Sequence, residues 1–259
     1  MRSIAALGAA ALVLLVALPI VALALSVSAA DFGEAVTRGL WEALWLSLRS
    51  TTIAIGGLAV LGTPLAWWLG RERGRLGRLV EAVMRLPAVT PPAVAGVALL
   101  TAFGRQGVFG DTLSTLGVSL PFTPAAVVVA QVFVAAPFYV LPLASAFREI
   151  DEDLLWTARS LGATPARVFF RISLPLAMPA LLGGLAIAWA RALGEFGATL
   201  VFAGSLPGVT RTLPIAIYTT MEGDMAPARA MSLVLLGFAL VMFLALRSSP
   251  IARAFGGRP

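Results

Sequence analysis

The chain has 259 residues, 59% of them hydrophobic and only 12% charged, with a formal net charge of +6. Soluble domains average roughly 45–50% apolar and about 25% charged residues, so both departures point to a membrane, and length is better read as a number of spans. The chain contains no Cys, His or Lys, which excludes thiolate and imidazole metal sites, Cys or Ser–His nucleophile pairs, disulfides, Schiff bases and a lysine-bearing phosphate loop. No metal or cofactor is expected, and any ATP that drives this chain must be bound by another polypeptide.

Six apolar segments approach the length of about 20 residues that crosses a hydrocarbon core. The first runs from about Ile4 to Ser28, too long for an ordinary signal-peptide core, and reads as a retained span. The second runs from about Leu44 to Leu69, with Arg49 near its outer end, and the third from Leu86 to Phe103. The fourth covers Pro124 to Phe147, the fifth Leu174 to Phe202 and the sixth Ala230 to Leu246. Pro91-Pro92 and Pro137 are positioned to kink spans three and four.

Arginines in the connections set an orientation. With the N-terminus inside, the cytoplasmic set is Arg2, then Arg71, Arg73, Arg75, Arg78 and Arg85, then Arg148, Arg159, Arg167 and Arg171, and finally Arg247, Arg253 and Arg258. The outer set is only Arg38, Arg105, Arg211 and Arg229. This bias places both termini inside and explains the basic balance without nucleic acid. The run from Gly70 to Arg78 reads as an anchor near lipid headgroups. The outer loop from Ser205 to Arg229 reads as a turn followed by a short, partly buried helix, or as a docking surface for a substrate-delivering protein.

The long cytoplasmic connection, Arg148 to Pro175, opens with Glu149, Asp151, Glu152 and Asp153, acids that suit the positive end of a helix. Leu154, Leu155, Ala158 and Leu161 follow at helical spacing. Gly162 can end that helix, and Thr164-Pro165 can start another carrying Val168, Phe169 and Ile172. Two short amphipathic helices broken at Gly162 are expected, either as an interfacial anchor or as a docking element for a cytoplasmic partner. Gly162 is separated by nine residues from Ile172-Ser173-Leu174-Pro175. That spacing resembles the coupling motif of type I ABC importer permeases. The resemblance assigns Ala158, Arg159, Gly162, Ile172, Leu174 and Pro175 to an ATPase-coupling loop. Trp156 and Thr157 stand where the motif has Glu and its first Ala, so its acid is missing.

The fifth segment contains ARALGEFGATLVFAG, Ala190 to Gly204. An Arg in mid-membrane costs roughly 2.5–3.5 kcal/mol. Arg191 and Glu195, four positions apart, share a helix face and can pair, and Gly194 and Gly197 let another backbone approach. A buried, helix-internal ion pair is expected. Arg191, Gly194, Glu195, Gly197 and Thr199 then either fix helix packing or contribute to an anion pathway. The run from Ala190 through Tyr218 is similar to the permease subunit of molybdate importers, matching at Ala190 to Leu200, Phe202 to Gly204, Pro207, Gly208, Thr210, Thr212, Pro214 and Ala216 to Tyr218.

The expectation is an all-α membrane protein of six transmembrane helices with both termini cytoplasmic. Residues 1–43 form an N-terminal span and linker, 44–247 the transmembrane domain of a type I ABC importer, and 248–259 a cytoplasmic tail. The resemblance implies a homodimer in the lipid bilayer of a bacterial or archaeal cytoplasmic membrane, cytoplasmic ATPase subunits, an extracytoplasmic oxyanion-binding protein and no covalent chemistry in this chain. Tungstate or sulfate are the alternative substrates. An ATP-independent secondary anion transporter is the alternative class, and it would not need the coupling loop.

Overall fold

The computed structural model describes residues 2–248, and within them the chain is helical with no strand. Arg253, Arg258 and nearly all of the expected tail lie outside the described residues. Helix α1 (Arg2–Leu25) is apolar all round, and its membrane-length stretch has none of its residues buried by the rest of the chain. Helix α2 (Ala29–Thr37) starts with a capping box: Ser28 Oγ accepts the Asp31 N–H, and the Asp31 carboxylate accepts the Ser28 N–H. That second bond, made to the ionised form, holds the Asp31 carboxyl below its ordinary value.

The long helices α3 (Leu40–Arg71) and α7 (Pro124–Arg148) pack along each other. Small residues on α3 permit this close approach. A Cβ on Gly70 would stand 2.7 Å from Phe147 Cβ, and one on Gly62 would stand 3.0 Å from the Tyr139 ring. Tyr139 is fully buried, and its hydroxyl is satisfied by Thr63 Oγ1 at 2.6 Å. Helix α11 (Met178–Leu193) closes this core from the other side, with Gly184 against Tyr139. Trp45 is exposed near one end of α3, and Trp67 lies near the other, roughly 33 Å along the axis at about 1.5 Å per residue. This matches a hydrocarbon thickness of about 30 Å flanked by interfacial aromatics.

Among the described residues four helices are long and apolar enough to cross a membrane: α1, α3, α7 and α14 (Met225–Ser248). Two of the expected spans are not single helices. The third segment divides between α4 (Arg75–Val89) and α5 (Pro92–Phe103). Thr90 precedes Pro91 and is extended, as the proline ring disfavours helical backbone before it. At 12 residues α5 is about 18 Å long, only part of a crossing. Helix α6 (Gly110–Thr115) follows in the loop before α7.

After α8 (Glu152–Ser160) and α9 (Pro165–Val168), a π turn over Phe169–Ser173 leads into α10 (Leu174–Leu176). The stretch Pro165–Leu176 then meets α11 at 68°. Pro175 and Pro179 lack the N–H groups that would continue the ladder, so the chain bends there. Helix α11 stops at Leu193, and α12 (Gly197–Ala203) is a separate seven-residue helix. Helix α13 (Leu213–Met221) precedes α14, burying Leu213, Ile215 and Ala216, which accords with the short, partly buried helix expected there.

Candidate translocation junction and coupling loop

The breaks converge on one junction. The start of α12 abuts the start of α5: a Cβ on Gly197 would stand 2.6 Å from Pro92 Cβ. One step further on, a Cβ on Gly96 would be 2.6 Å from Val201 Cβ. Gly194, by contrast, is exposed, and a Cβ there would meet nothing nearer than the Ala190 carbonyl at 3.5 Å. Of the two glycines expected to admit a neighbouring backbone, only Gly197 does so.

Arg191 and Glu195 do pair, Nη1 to Oε2 at 2.8 Å. The pair is not helix-internal, however. Glu195 lies in the non-helical link between α11 and α12, and its other oxygen accepts the Ala198 N–H at 2.8 Å. The reason is local: the first N–H groups of a helix have no partner within it, and a carboxylate just before the helix supplies one. The Glu195 side chain is 1% exposed while that of Arg191 is 33% exposed. The acid is thus sealed by two donors, and the guanidinium keeps one side open. Thr199 is fully buried with no hydrogen-bond partner for its hydroxyl.

Gln131 also belongs to this region, although the sequence reading passed over it. It is a buried amide on α7 that donates to Thr51 Oγ1 of α3 at 3.1 Å and to the Ala192 carbonyl of α11 at 3.2 Å. Ala192 lies in the last turn of α11, where carbonyls lose their intrahelical partners. The signal available was a lone amide inside an otherwise apolar stretch, which must find partners in a dry core. One turn back along α3 from Thr51, buried Ser47 accepts the Leu213 N–H at 2.7 Å and so fixes the start of α13. Thr210 Oγ1 accepts the Leu206 N–H at 3.0 Å, and Arg211 donates to Ser205 Oγ at 3.1 Å, closing the turn before α13.

At the arginine-rich end, α8 and α9 form the expected pair. Asp151 caps α8 by accepting the Asp153 N–H at 2.9 Å. Gly162 has φ +84, and the helix closes in a Schellman arrangement: the Ala163 N–H donates to the Ala158 carbonyl and the Gly162 N–H to the Arg159 carbonyl. A Cβ on Gly162 would meet nothing within 4 Å, so the backbone conformation, not crowding, asks for glycine. Leu155 and Val168 turn inward, while Trp156, Leu161 and Phe170 are exposed. Phe169 packs edge-on to Trp67 and also against Phe147, tying the loop to α3 and α7. Ser173 is buried and accepts a long bond from Arg71 at 3.4 Å, and Leu174 packs on the same core. Arg73 pairs with Glu152 at 2.8 Å. Ile172, Leu174 and Pro175 are half-buried, so they serve the joint between loop and bundle, whereas α8 supplies the exposed surface.

Long apolar helices interrupted by half-length ones that meet at a junction make up the architecture of a polytopic membrane permease. The chain matches the family described as the inner membrane component of binding-protein-dependent transport systems over residues 62–249, and it belongs to that family. It is therefore a multi-pass inner-membrane transport component and not an enzyme. A molybdenum transport system permease protein of Mycobacterium tuberculosis is 44% identical over 92% of this chain and 90% of that protein. The corresponding Escherichia coli K12 protein is 37% identical over 82% and 93%. In fold, the chain resembles a subunit of a bacterial alginate ABC transporter, with TM-score 0.67, 19% identity and coverage of 82% and 79%. It also resembles a methionine ABC transporter in an inward-facing conformation, with TM-score 0.61, 23% identity and coverage of 86% and 96%.

Proposed function

We propose that this chain is the membrane-spanning permease subunit of an ATP-driven importer that moves an oxyanion, most specifically molybdate, across the cytoplasmic membrane. The observation that carries this reading is the 44% identity to a molybdenum transport permease across 92% of the chain. The junction is chemically suited to it. Arg191 keeps a third of its side chain open while Glu195 is sealed, so the accessible end of the pair is its cationic end, beside the crossing of α5 and α12.

In this reading two copies form the pathway in the bilayer, and a binding protein delivers the anion to the end carrying α2 and α13. The half-length α5, and the bent run through α9, α11 and α12, each complete a crossing. That gives six spans with both termini at the arginine-rich, cytoplasmic side. Residues 1–43, 44–247 and 248–259 then divide into first span and linker, transmembrane domain and tail. The exposed face of α8, with Ala158, Arg159 and Gly162 at its closing turn, seats a separate ATPase subunit, and its movement reaches the core through Ile172, Leu174 and Pro175. Where the motif's acid is replaced by Trp156, contact with the ATPase is apolar and cationic, because Arg159 lies over the Trp156 ring at 5.7 Å. Arg191, Gly194, Glu195, Gly197 and Thr199 line or support the pathway.

The test is uptake into vesicles containing this chain, its ATPase and its binding protein. Labelled molybdate should enter only with ATP, and sulfate should compete more weakly than tungstate, a tetrahedral dianion of nearly the same size as molybdate. Uptake of sulfate alone would move the substrate and keep the importer. Uptake that persists without the ATPase would overturn the importer in favour of a secondary anion carrier.

A further inference from the structure

Arg49 is a charge that neither the junction nor the coupling loop uses. It stands one turn along α3 from the exposed Trp45, about 6 Å towards the apolar middle at about 1.5 Å per residue. Trp45 marks an interface, so the root of this side chain lies within the hydrocarbon slab, where an arginine needs a counter-charge or a path to the headgroups. Arg191, the other arginine at depth, has Glu195. Among the described residues no carboxylate lies within ion-pair distance of Arg49. Of the neighbouring hydroxyls, Ser50 donates to the Ser47 carbonyl and Ser47 accepts the Leu213 N–H.

Arg49 lines a cavity of about 400 Å³ whose other walls include Leu46, Ile53, Val128, Val129 and Val209. Below it the same side of α3 continues as exposed Ile53 and Val60. An aliphatic groove with one cation at its headgroup end is the negative of a phospholipid. At the mouth there is also an anion, since a Cβ on Gly208 would stand 2.6 Å from Glu42 Oε1. Cation below and anion above match a zwitterionic headgroup in charge and in order.

We infer that this groove binds one phospholipid, its phosphate on Arg49, its headgroup ammonium towards Glu42 and an acyl chain along Ile53 and Val128. The site is at the end of the bundle opposite the arginine-rich end. The inference rests on the chain spanning a membrane, not on what it transports. Its success or failure is therefore read separately from the uptake experiment.

The experiment is native mass spectrometry of the purified full-length permease in mild detergent, titrated with phosphatidylethanolamine, phosphatidylglycerol or phosphatidylcholine. One retained phosphatidylethanolamine per chain is expected. Arg49→Gln should lower its retention at least tenfold, and Arg49→Lys should restore most of it. Ile53→Trp, which fills the groove without altering charge, should reduce retention of all three lipids. Glu42→Gln should remove the preference for phosphatidylethanolamine over phosphatidylglycerol. Equal retention by wild type and Arg49→Gln would overturn the site. So would efficient cross-linking of Ile53→Cys to a second copy of the chain, because the groove would then be covered by protein.

Discussion

The closing turn of α8 allows a prediction in which conformational strain and bulk have opposite consequences. Gly162 has φ +84, yet a Cβ there would touch nothing within 4 Å. Gly162→Ala therefore adds no clash and removes no contact; its cost is the left-handed backbone alone, about 1–2 kcal/mol for an ordinary L-residue. The two bonds at stake are those from the amides of residues 162 and 163 to the carbonyls of Arg159 and Ala158. A penalty of that size multiplies the open population of the turn about five- to thirtyfold. Hydrogen exchange of those two amides should quicken by that factor in Gly162→Ala, while amides of the buried stretch of α7 stay unchanged. Asn is larger than Ala but tolerates the left-handed region better. Gly162→Asn should therefore exchange more slowly than Gly162→Ala, and ATP-driven uptake should fall in the same order. An Asn variant more disturbed than the Ala variant would refute the reasoning, since bulk would then be what the turn resists.

Three further outcomes are expected. Glu195→Ala strips both Arg191 and the Ala198 N–H of their acceptor, and should cost about 3 kcal/mol, the low end for a broken buried pair because Arg191 is partly open. A thermal shift in detergent should register this, with Glu195→Gln and the double variant Glu195→Ala/Arg191→Leu both less harmed. Gly197→Ala forces a Cβ to within 2.6 Å of Pro92 Cβ and should cost about 1–3 kcal/mol, whereas Gly194→Ala should be neutral or slightly stabilising in the same assay. On the arginine-rich face, the hydrogen bond from Arg85, helped by Arg148 of α7, holds the Glu81 carboxyl below the ordinary glutamate value. A depressed folded value adds stability that is fully present above the unfolded glutamate value of about 4.3 and is lost as pH falls through the folded one. Wild-type stability should therefore decline below about pH 4 more steeply than that of Glu81→Gln. Parallel curves for the two would show that Glu81 contributes nothing.

Much of this fold was legible because a membrane imposes simple rules. The segments that became α1, α3, α7 and α14 are long and apolar, and hydrocarbon thickness alone selects them. Gly162, Asp151 and Thr164-Pro165 carry local stop and start signals, and the α8–α9 pair formed where those signals stand. The breaks at Thr90-Pro91 and Gly194 to Phe196 were not legible as breaks, because hydrophobic composition reports what the surroundings are, not whether the backbone stays helical. Proline gave a warning at the first break; at the second there was none.

The second break explains why Glu195 had to be misread from sequence. A spacing of four between Arg191 and Glu195 fits a helix, and the pair does form, so the expected contact holds while the expected backbone does not. Two neighbouring glycines looked alike, yet one is exposed and the other lies against Pro92, a difference created by a residue about a hundred positions away in the chain. Once α5 occupies that place, α12 has to start afresh, and its first N–H groups have to be satisfied in a dry setting. An ionised carboxylate meets that need more strongly than a neutral acceptor. It then requires a cation of its own, and Arg191 is the one within reach. The acid is therefore explained by the break, and the arginine by the acid. What the break does not consume is the open third of the Arg191 side chain.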